Sequence, residues 1–283
     1  MDRRLRNLVL MVLAAVLAAC ITAAHAYVLN GFHILELMTD AIGKADSLRV
    51  VQKLTVYRVD QKETPIELDE VVLYAFPDAY RSEITSSSGE RIHVYSRGSA
   101  ITIIDRRVVP DGETVFDRYM DLFLCNSRTL LQQRLPRLGV NPSISSLGRF
   151  QGRIGYVLGA RYPDESVPQL WVDQKTFRPF RWLIRPEIST IGQLPVEVRF
   201  YDWRKAGKYF YPMRMEFYQK DTLIRSLQVE RVQPDLAPAG EMFDIRQLRA
   251  TYPAAKPPAP EQGDLGDKSE IQKTLDNFRK IFE

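Results

Sequence analysis

Two histidines, one cysteine and a scatter of carboxylates are the residues of this chain that could do chemistry. His33 and His93 are the histidines left once an N-terminal leader is set aside. Neither lies in His-Glu-x-x-His, and there is no Cys-x-x-Cys pair or EF-hand loop, so no metal site is expected. His93, in Arg91-Ile-His-Val-Tyr95, alternates with apolar neighbours and reads as a surface or rim residue. There is no Gly-x-Ser-x-Gly elbow for a nucleophile. Gly148-Arg-Phe-Gln-Gly152-Arg-Ile-Gly155 lacks the dinucleotide spacing and leads into a strand without opening a helix, which argues against a phosphate cradle. Asp and Glu are plentiful, but their spacing picks out no pair. The expectation is a protein that is not an enzyme and carries no cofactor.

Any other function must come from the elements. The chain has 283 residues, 45% hydrophobic and 26% charged, as in a soluble globular protein. Residues 1–26 read as a signal peptide. Arg3, Arg4 and Arg6 precede the apolar run from Leu8, and Ala24-His-Ala26 offers a cleavage site before Tyr27. The apolar stretch Leu8 to Ala24, 17 residues, is short for a membrane anchor. Leu17-Ala-Ala-Cys20 also resembles a lipobox, in which a signal ending at Ala19 would leave Cys20 acylated. Either route exports the folded part, periplasmic or anchored to the membrane and facing the periplasm. Loss of three Arg and one Asp takes the net charge from +4 to +2, too little to draw nucleic acid. Cys125, in Tyr119-Met-Asp-Leu-Phe-Leu-Cys125, reads as a buried structural thiol.

A helix is expected from Asn30 or Gly31 to about Ala45, with Ile34, Leu37, Met38, Ala41 and Ile42 on one stripe. Strand patterns follow at 48–59, 67–76, 79–86, 90–96, 99–105, 154–161, 168–173, 177–185, 195–203, 208–219 and 222–232. Turn chemistry breaks them at Phe76-Pro-Asp78, Ser88-Gly89, Arg97-Gly98, Asp111-Gly112 and Lys205-Ala-Gly207. Ser127 to Arg137 carries Leu130, Leu131 and Leu135 at helical spacing until Pro136 stops or kinks it. The fold class is mainly β with α: an antiparallel half-open barrel of about eleven strands, capped by short helices. The folded domain is placed at 27–250 and a Pro-rich linker at 251–270. Ile271, Leu275, Phe278 and Phe282 form an amphipathic stripe over 271–283. That segment reads as a helix docking on its own domain, or else one offered to an envelope protein or a membrane surface.

The strongest functional signal is apolar. Tyr156, Leu158, Leu170, Val172, Phe180, Trp182, Val196, Val198 and Phe200 share one face, and Tyr211, Met213, Met215, Phe217, Leu227 and Val229 extend it. Most could simply be core beneath the two helices. Yet the concave face of such a half-barrel is larger than two short helices fill, and Met213 and Met215 suit flexible chains. An apolar hollow in an exported protein without catalytic groups is a natural acyl-chain site.

The order of elements resembles the lipoprotein-carrier superfamily typified by LolA and LolB. Val71-Val-Leu-Tyr-Ala-Phe-Pro77-Asp-Ala-Tyr-Arg81 resembles its strand–Pro–strand element. Gly155-Tyr-Val-Leu158, Leu170-Trp-Val-Asp173, Phe177-Arg-Pro-Phe180 and Val198-Arg-Phe-Tyr-Asp202 with Tyr211-Pro212 resemble its later hairpins. The match runs over about residues 30–245 and implies a half-open barrel holding lipid or lipoprotein acyl chains. The LolA-type carriers have an Arg just before that Pro, used to hold a lid, where this chain has Phe76. A receptor-like relative therefore fits as well as a shuttle. Arg161-Tyr-Pro-Asp164 before Leu170-Trp-Val-Asp173 also resembles the sigma-factor regulator RseB, whose second domain the residues after 250 are too few to supply. That resemblance implies a sensor or interaction module binding a protein partner through the barrel rim and C-terminal helix.

Overall fold

The computed structural model describes residues 28–57, 64–87, 89–110, 114–185, 195–236 and 238–255. The leader with Cys20, most of the expected linker and the expected C-terminal helix lie outside the described residues.

Helix α1 (Gly31–Ile42) begins where the Asn30 side chain accepts a hydrogen bond from the Phe32 amide at 2.9 Å. Its apolar stripe buries Ile34, Leu35, Met38 and Ile42. Gly31 is needed for contact, because a Cβ there would collide with the Pro142 carbonyl.

Thirteen strands follow: β1 (Ser47–Val56), β2 (Ile66–Ala75), β3 (Ala79–Ser86), β4 (Gly89–Ser96), β5 (Ser99–Ile104), β6 (Arg107–Val109), β7 (Ser145–Phe150), β8 (Arg153–Leu158), β9 (Gln169–Asp173), β10 (Pro179–Ile184), β11 (Val196–Ala206), β12 (Tyr209–Gln219) and β13 (Thr222–Pro234). They form one antiparallel sheet in the order β6-β5-β4-β3-β2-β1-β13-β12-β11-β10-β9-β8-β7. The pairing of β1 with β13 joins two meanders, and β6 and β7 end the sheet without pairing to each other. The half-open barrel is therefore present, with two strands more than expected. Both additions are edge strands. Arg107–Val109 is only three residues long, and Ser-Ser-Leu-Gly-Arg-Phe has little β propensity. An edge strand pairs on one side only, so its pattern is weak.

Between β6 and β7 the chain leaves the sheet. A 3-10 turn (Arg118–Met120) runs into α2 (Asp121–Leu124), and α3 (Arg128–Arg134), capped by Ser127, passes into a second 3-10 turn (Leu135–Leu138) containing Pro136. After β13, a turn (Gly240–Phe243) and α4 (Ile245–Thr251) return to the outside of the sheet. Packing continues past residue 250. The Val108 amide donates to the Pro253 carbonyl at 2.9 Å, and the Ala255 amide to the Val108 carbonyl at 2.8 Å, which covers part of the β6 edge.

Both faces of the sheet are covered. The main core lies on the inner face, against α1, residues 115–124 and the α3 region. On the outer face Phe243 and Leu248 pack over Leu73, Ile92, Val94, Ile101 and Ile103. A separate outer cluster holds Val157, Ala160, Trp171 and Phe180. The glycine run explains itself here. Gly148 and Gly155 pair across β7 and β8, and a Cβ on either would lie 2.6 Å from the Trp171 ring or 2.5 Å from the Phe180 ring. These glycines admit aromatic rings from neighbouring strands.

Candidate functional site

The inner face is two-toned. Across β8 to β13 it is apolar. Leu158, Leu170, Val172, Trp182, Val198, Phe200, Met215 and Phe217 are fully buried there, with Tyr156 and Leu227 nearly so and Met213 half-buried beside them. Eleven of the twelve expected lining residues thus share this face. Phe180 does not. β10 pairs Pro179 with Val172 and Arg181 with Trp171, leaving Phe180 as an extra residue in a bulge. The bulge turns Phe180 outward, 6.0 Å from the Trp171 ring centroid, while Trp182 stays inside. Its assignment to the inner lining is corrected accordingly.

A second correction concerns the hollow itself. The expectation left the concave face underfilled, but residues 115–124 fill it. Val115, Phe116, Tyr119, Met120, Leu122, Phe123 and Leu124 are all buried there. Phe123 is central, with its ring 4.9 Å from Tyr211, 5.9 Å from Phe200 and 6.1 Å from Trp203. Phe116 and Tyr119 meet Phe217 edge-on at 5.8 and 5.9 Å. The Tyr209 hydroxyl donates to the Phe123 carbonyl at 3.2 Å. We call residues 114–125 the plug. The sequence displayed its apolar run but not its destination, because a segment this short has no readable period.

Across β1 to β5 the inner face carries polar groups. Gln52 Nε2 donates to Glu70 Oε2 at 2.7 Å and the Ser82 hydroxyl to Glu70 Oε1 at 2.5 Å. His93 Nδ1 lies 2.8 Å from the Thr102 hydroxyl. His93 is fully buried, contrary to its reading as a rim residue, and its Nε2 has no hydrogen-bond partner. Arg91 reaches from this stripe to the plug. Its two terminal nitrogens donate to Asp117 Oδ1 at 2.9 Å and Oδ2 at 2.6 Å. Arg225 of β13 stands over the Phe116 ring at 4.1 Å. At the far end of the plug Asp121 pairs with Arg134 at 2.8 Å.

Titration follows these contacts. Burial alone would raise Asp117, but the Arg91 charge, His93 and hydrogen bonds from Arg91 and Thr114 outweigh it and hold the carboxyl below its usual range. Burial raises Glu70 and lowers His93. It also lowers Arg225 to about 10, so that guanidinium stays charged at neutral pH. Cys125, at the end of the plug, is pushed up to about 12 by burial and the neighbouring Asp121. Among the described residues no group of three His, Cys, Asp or Glu could hold a metal ion, and no helix is long and apolar enough to cross a membrane.

Neither a protein-family model nor a curated protein matches the sequence. Solved structures do. A domain from Vibrio parahaemolyticus, described as an outer membrane lipoprotein-sorting protein domain, superposes with a TM-score of 0.54 at 11% identity, over 77% of this chain and 97% of that one. The fold is LolA-like. A DUF1329 family protein from Desulfovibrio piger matches with a TM-score of 0.50 at 12% identity, over 77% and 98% of the two chains. A LolA superfamily protein from Nitrosomonas europaea matches at 18% identity and a TM-score of 0.48, over 76% and 97%. Phe76, just before Pro77, stacks on Tyr74 at 5.5 Å and lies 5.4 Å from Tyr209.

Proposed function

We propose that this protein is an exported, non-enzymatic carrier or receptor that shelters the acyl chains of a lipid or lipoprotein on the apolar half of its inner face. It acts in the periplasm, free or membrane-anchored. The plug and the chain occupy that face alternately. The observation that carries this reading is the plug itself: a segment outside the sheet that lays its apolar side chains over the lining and is tied down by two ion pairs.

Magnitudes make the exchange feasible. Burying a large apolar side chain is worth about 1.5–3 kcal/mol, and each methylene about 0.8 kcal/mol. The plug's seven buried apolar side chains therefore balance an acyl chain of roughly fifteen to twenty methylenes. Neither state is so favourable that it locks. A long chain is not released into water at a useful rate, so delivery requires an acceptor that is equally dry. The LolA-like fold supports the reading at the level of architecture.

The test is native mass spectrometry with lipid extraction of protein purified from its own envelope. Acyl-containing ligands at up to one per chain support it. A chain that stays ligand-free and takes up no fluorescent fatty acid would sink it, and would favour an envelope interaction module of the regulatory kind.

A further inference from the structure

A cavity of about 90 Å³ opens on the outer face, away from the plug, between the tip of the β7–β8 hairpin and strands β10 and β11. Phe150, Gln151, Arg153, Phe180, Arg199 and Tyr201 line it. Two local features shape its wall. The β10 bulge turns Phe180 outward, and Gly155, lacking a Cβ, admits the Phe180 ring.

Both lining guanidiniums are fixed in place. Arg153 donates through Nε to Asp173 at 2.6 Å and lies 4.4 Å from the Phe180 ring centroid. Arg199 donates through Nε to Glu197, with Tyr201 beside it, and lies 3.9 Å from the Tyr218 ring and 5.0 Å from Phe150. Arg181, tied to Glu165 and Glu197, backs the Phe150 ring at 4.0 Å. An arginine has five N–H donors, and the bond from Arg153 to Asp173 engages one of them.

Size and surroundings narrow the ligand. A cavity of about 150 Å³ takes a benzene ring, so this one takes a smaller group. A carboxylate matches the arginine fork two bonds at a time. The cavity lies at the end of β7, whose far edge pairs with no strand among the described residues, whereas residues 253–255 cover part of the β6 edge. Two exposed apolar side chains border β7. Ile154 stands across from Arg149, and Tyr162 donates its amide to the Ser146 hydroxyl. An open strand edge flanked by aromatic rings and arginines suits a protein partner.

We propose that this cavity receives the carboxylate of an Asp or Glu side chain from a partner protein, carried on an extended segment that lies against β7. The inference goes beyond the carrier reading and does not depend on it, because the site is on the opposite face of the sheet.

The experiment titrates the full mature protein with two capped tripeptides, acetyl-Val-Glu-Val amide and acetyl-Val-Gln-Val amide, and with glutarate, inorganic phosphate and phosphatidylglycerol vesicles. Binding is read from the side-chain NMR signals of Arg153 and Arg199, and for vesicles by co-sedimentation. The Glu peptide should bind about tenfold more tightly than the Gln peptide, a difference of 1.4 kcal/mol, and more tightly than glutarate or phosphate. Arg153→Gln and Arg199→Gln should each erase the preference and leave fatty-acid uptake unchanged. Equal binding of the two peptides, binding of neither, or a preference that survives in Arg153→Gln overturns the inference. Glutarate or phosphate matching the Glu peptide makes this a site for a free anion and also overturns it. So does vesicle binding that is lost in Arg153→Gln, which would make the surface a membrane contact. The Arg153 side chain is 38% exposed against 11% for Arg199, so Arg153→Gln alone decides if Arg199→Gln does not fold.

Discussion

Arg91 and Asp117 meet across the boundary between sheet and plug, with guanidinium and carboxylate 2.6 Å apart at their closest and each almost wholly buried. Breaking a buried ion pair of this kind costs about 3–5 kcal/mol. Asp117→Ala should therefore loosen residues 114–125 more than the sheet. Hydrogen exchange should rise across the plug while amides paired between β1 and β13 keep their protection. Equal loss of protection in both would show that the plug and sheet open as one unit.

The same pair sets a pH dependence. Asp117 titrates below its unfolded value, so its stabilisation is complete above about pH 4 and is lost as pH falls towards the folded value. Asp117→Asn lacks this contribution at every pH. The denaturation midpoints of wild type and variant should therefore differ by a constant amount at pH 5 and above, and converge below about pH 4. A gap that stays constant into acid would mean that Asp117 is not the titrating group.

Phe123→Ala removes the centre of the plug. Truncating a buried Phe costs about 3–5 kcal/mol, and here the loss falls on the plugged state alone. Fatty-acid affinity should rise while maximal uptake stays the same, measured by displacement of a fluorescent probe. Weaker binding would mean that Phe123 belongs to the ligand site and not to its competitor.

Faces can be told apart at the β10 bulge. Trp182→Ala, on the inner face, should weaken uptake, and Phe180→Ala, on the outer face, should leave it unchanged. Met213→Glu, half-buried beside the lining, should lower uptake with a smaller effect on thermal stability than Trp182→Ala. If Phe180→Ala impairs uptake as strongly as Trp182→Ala, the ligand is on the wrong face.

Cys125 reports on the plug. With its thiol pushed up to about 12 by burial, little thiolate exists at pH 8, and alkylation should be slow. Saturation with laurate should accelerate it, since the plug end is then exposed. An unchanged rate with bound laurate would mean that the plug stays seated.

Much of the architecture was legible because it is periodic. The stripe of α1, the Ser127 cap and leucines of α3, and the alternation in the central strands each repeat over several residues. What escaped notice lacks a period. The edge strands β6 and β7 pair on one side only, and the plug helix is four residues long. One bulge residue moved Phe180 to the other face while its sequence alternation stayed intact. The polar half of the site was hidden for a different reason. Arg91 and Asp117 are 26 positions apart, and only the folding of β4 beneath the plug joins them. His93 looked like a rim residue because strand alternation gives a side, and not what covers that side.

The most direct measurement is photo-crosslinking with a diazirine fatty acid, with the adducts mapped by mass spectrometry. The account predicts adducts on Trp182, Met215, Phe217 and their inner-face neighbours, suppressed by unlabelled laurate. Adducts confined to the outer cluster around Phe150 and Trp171, or adducts that laurate does not displace, would contradict it.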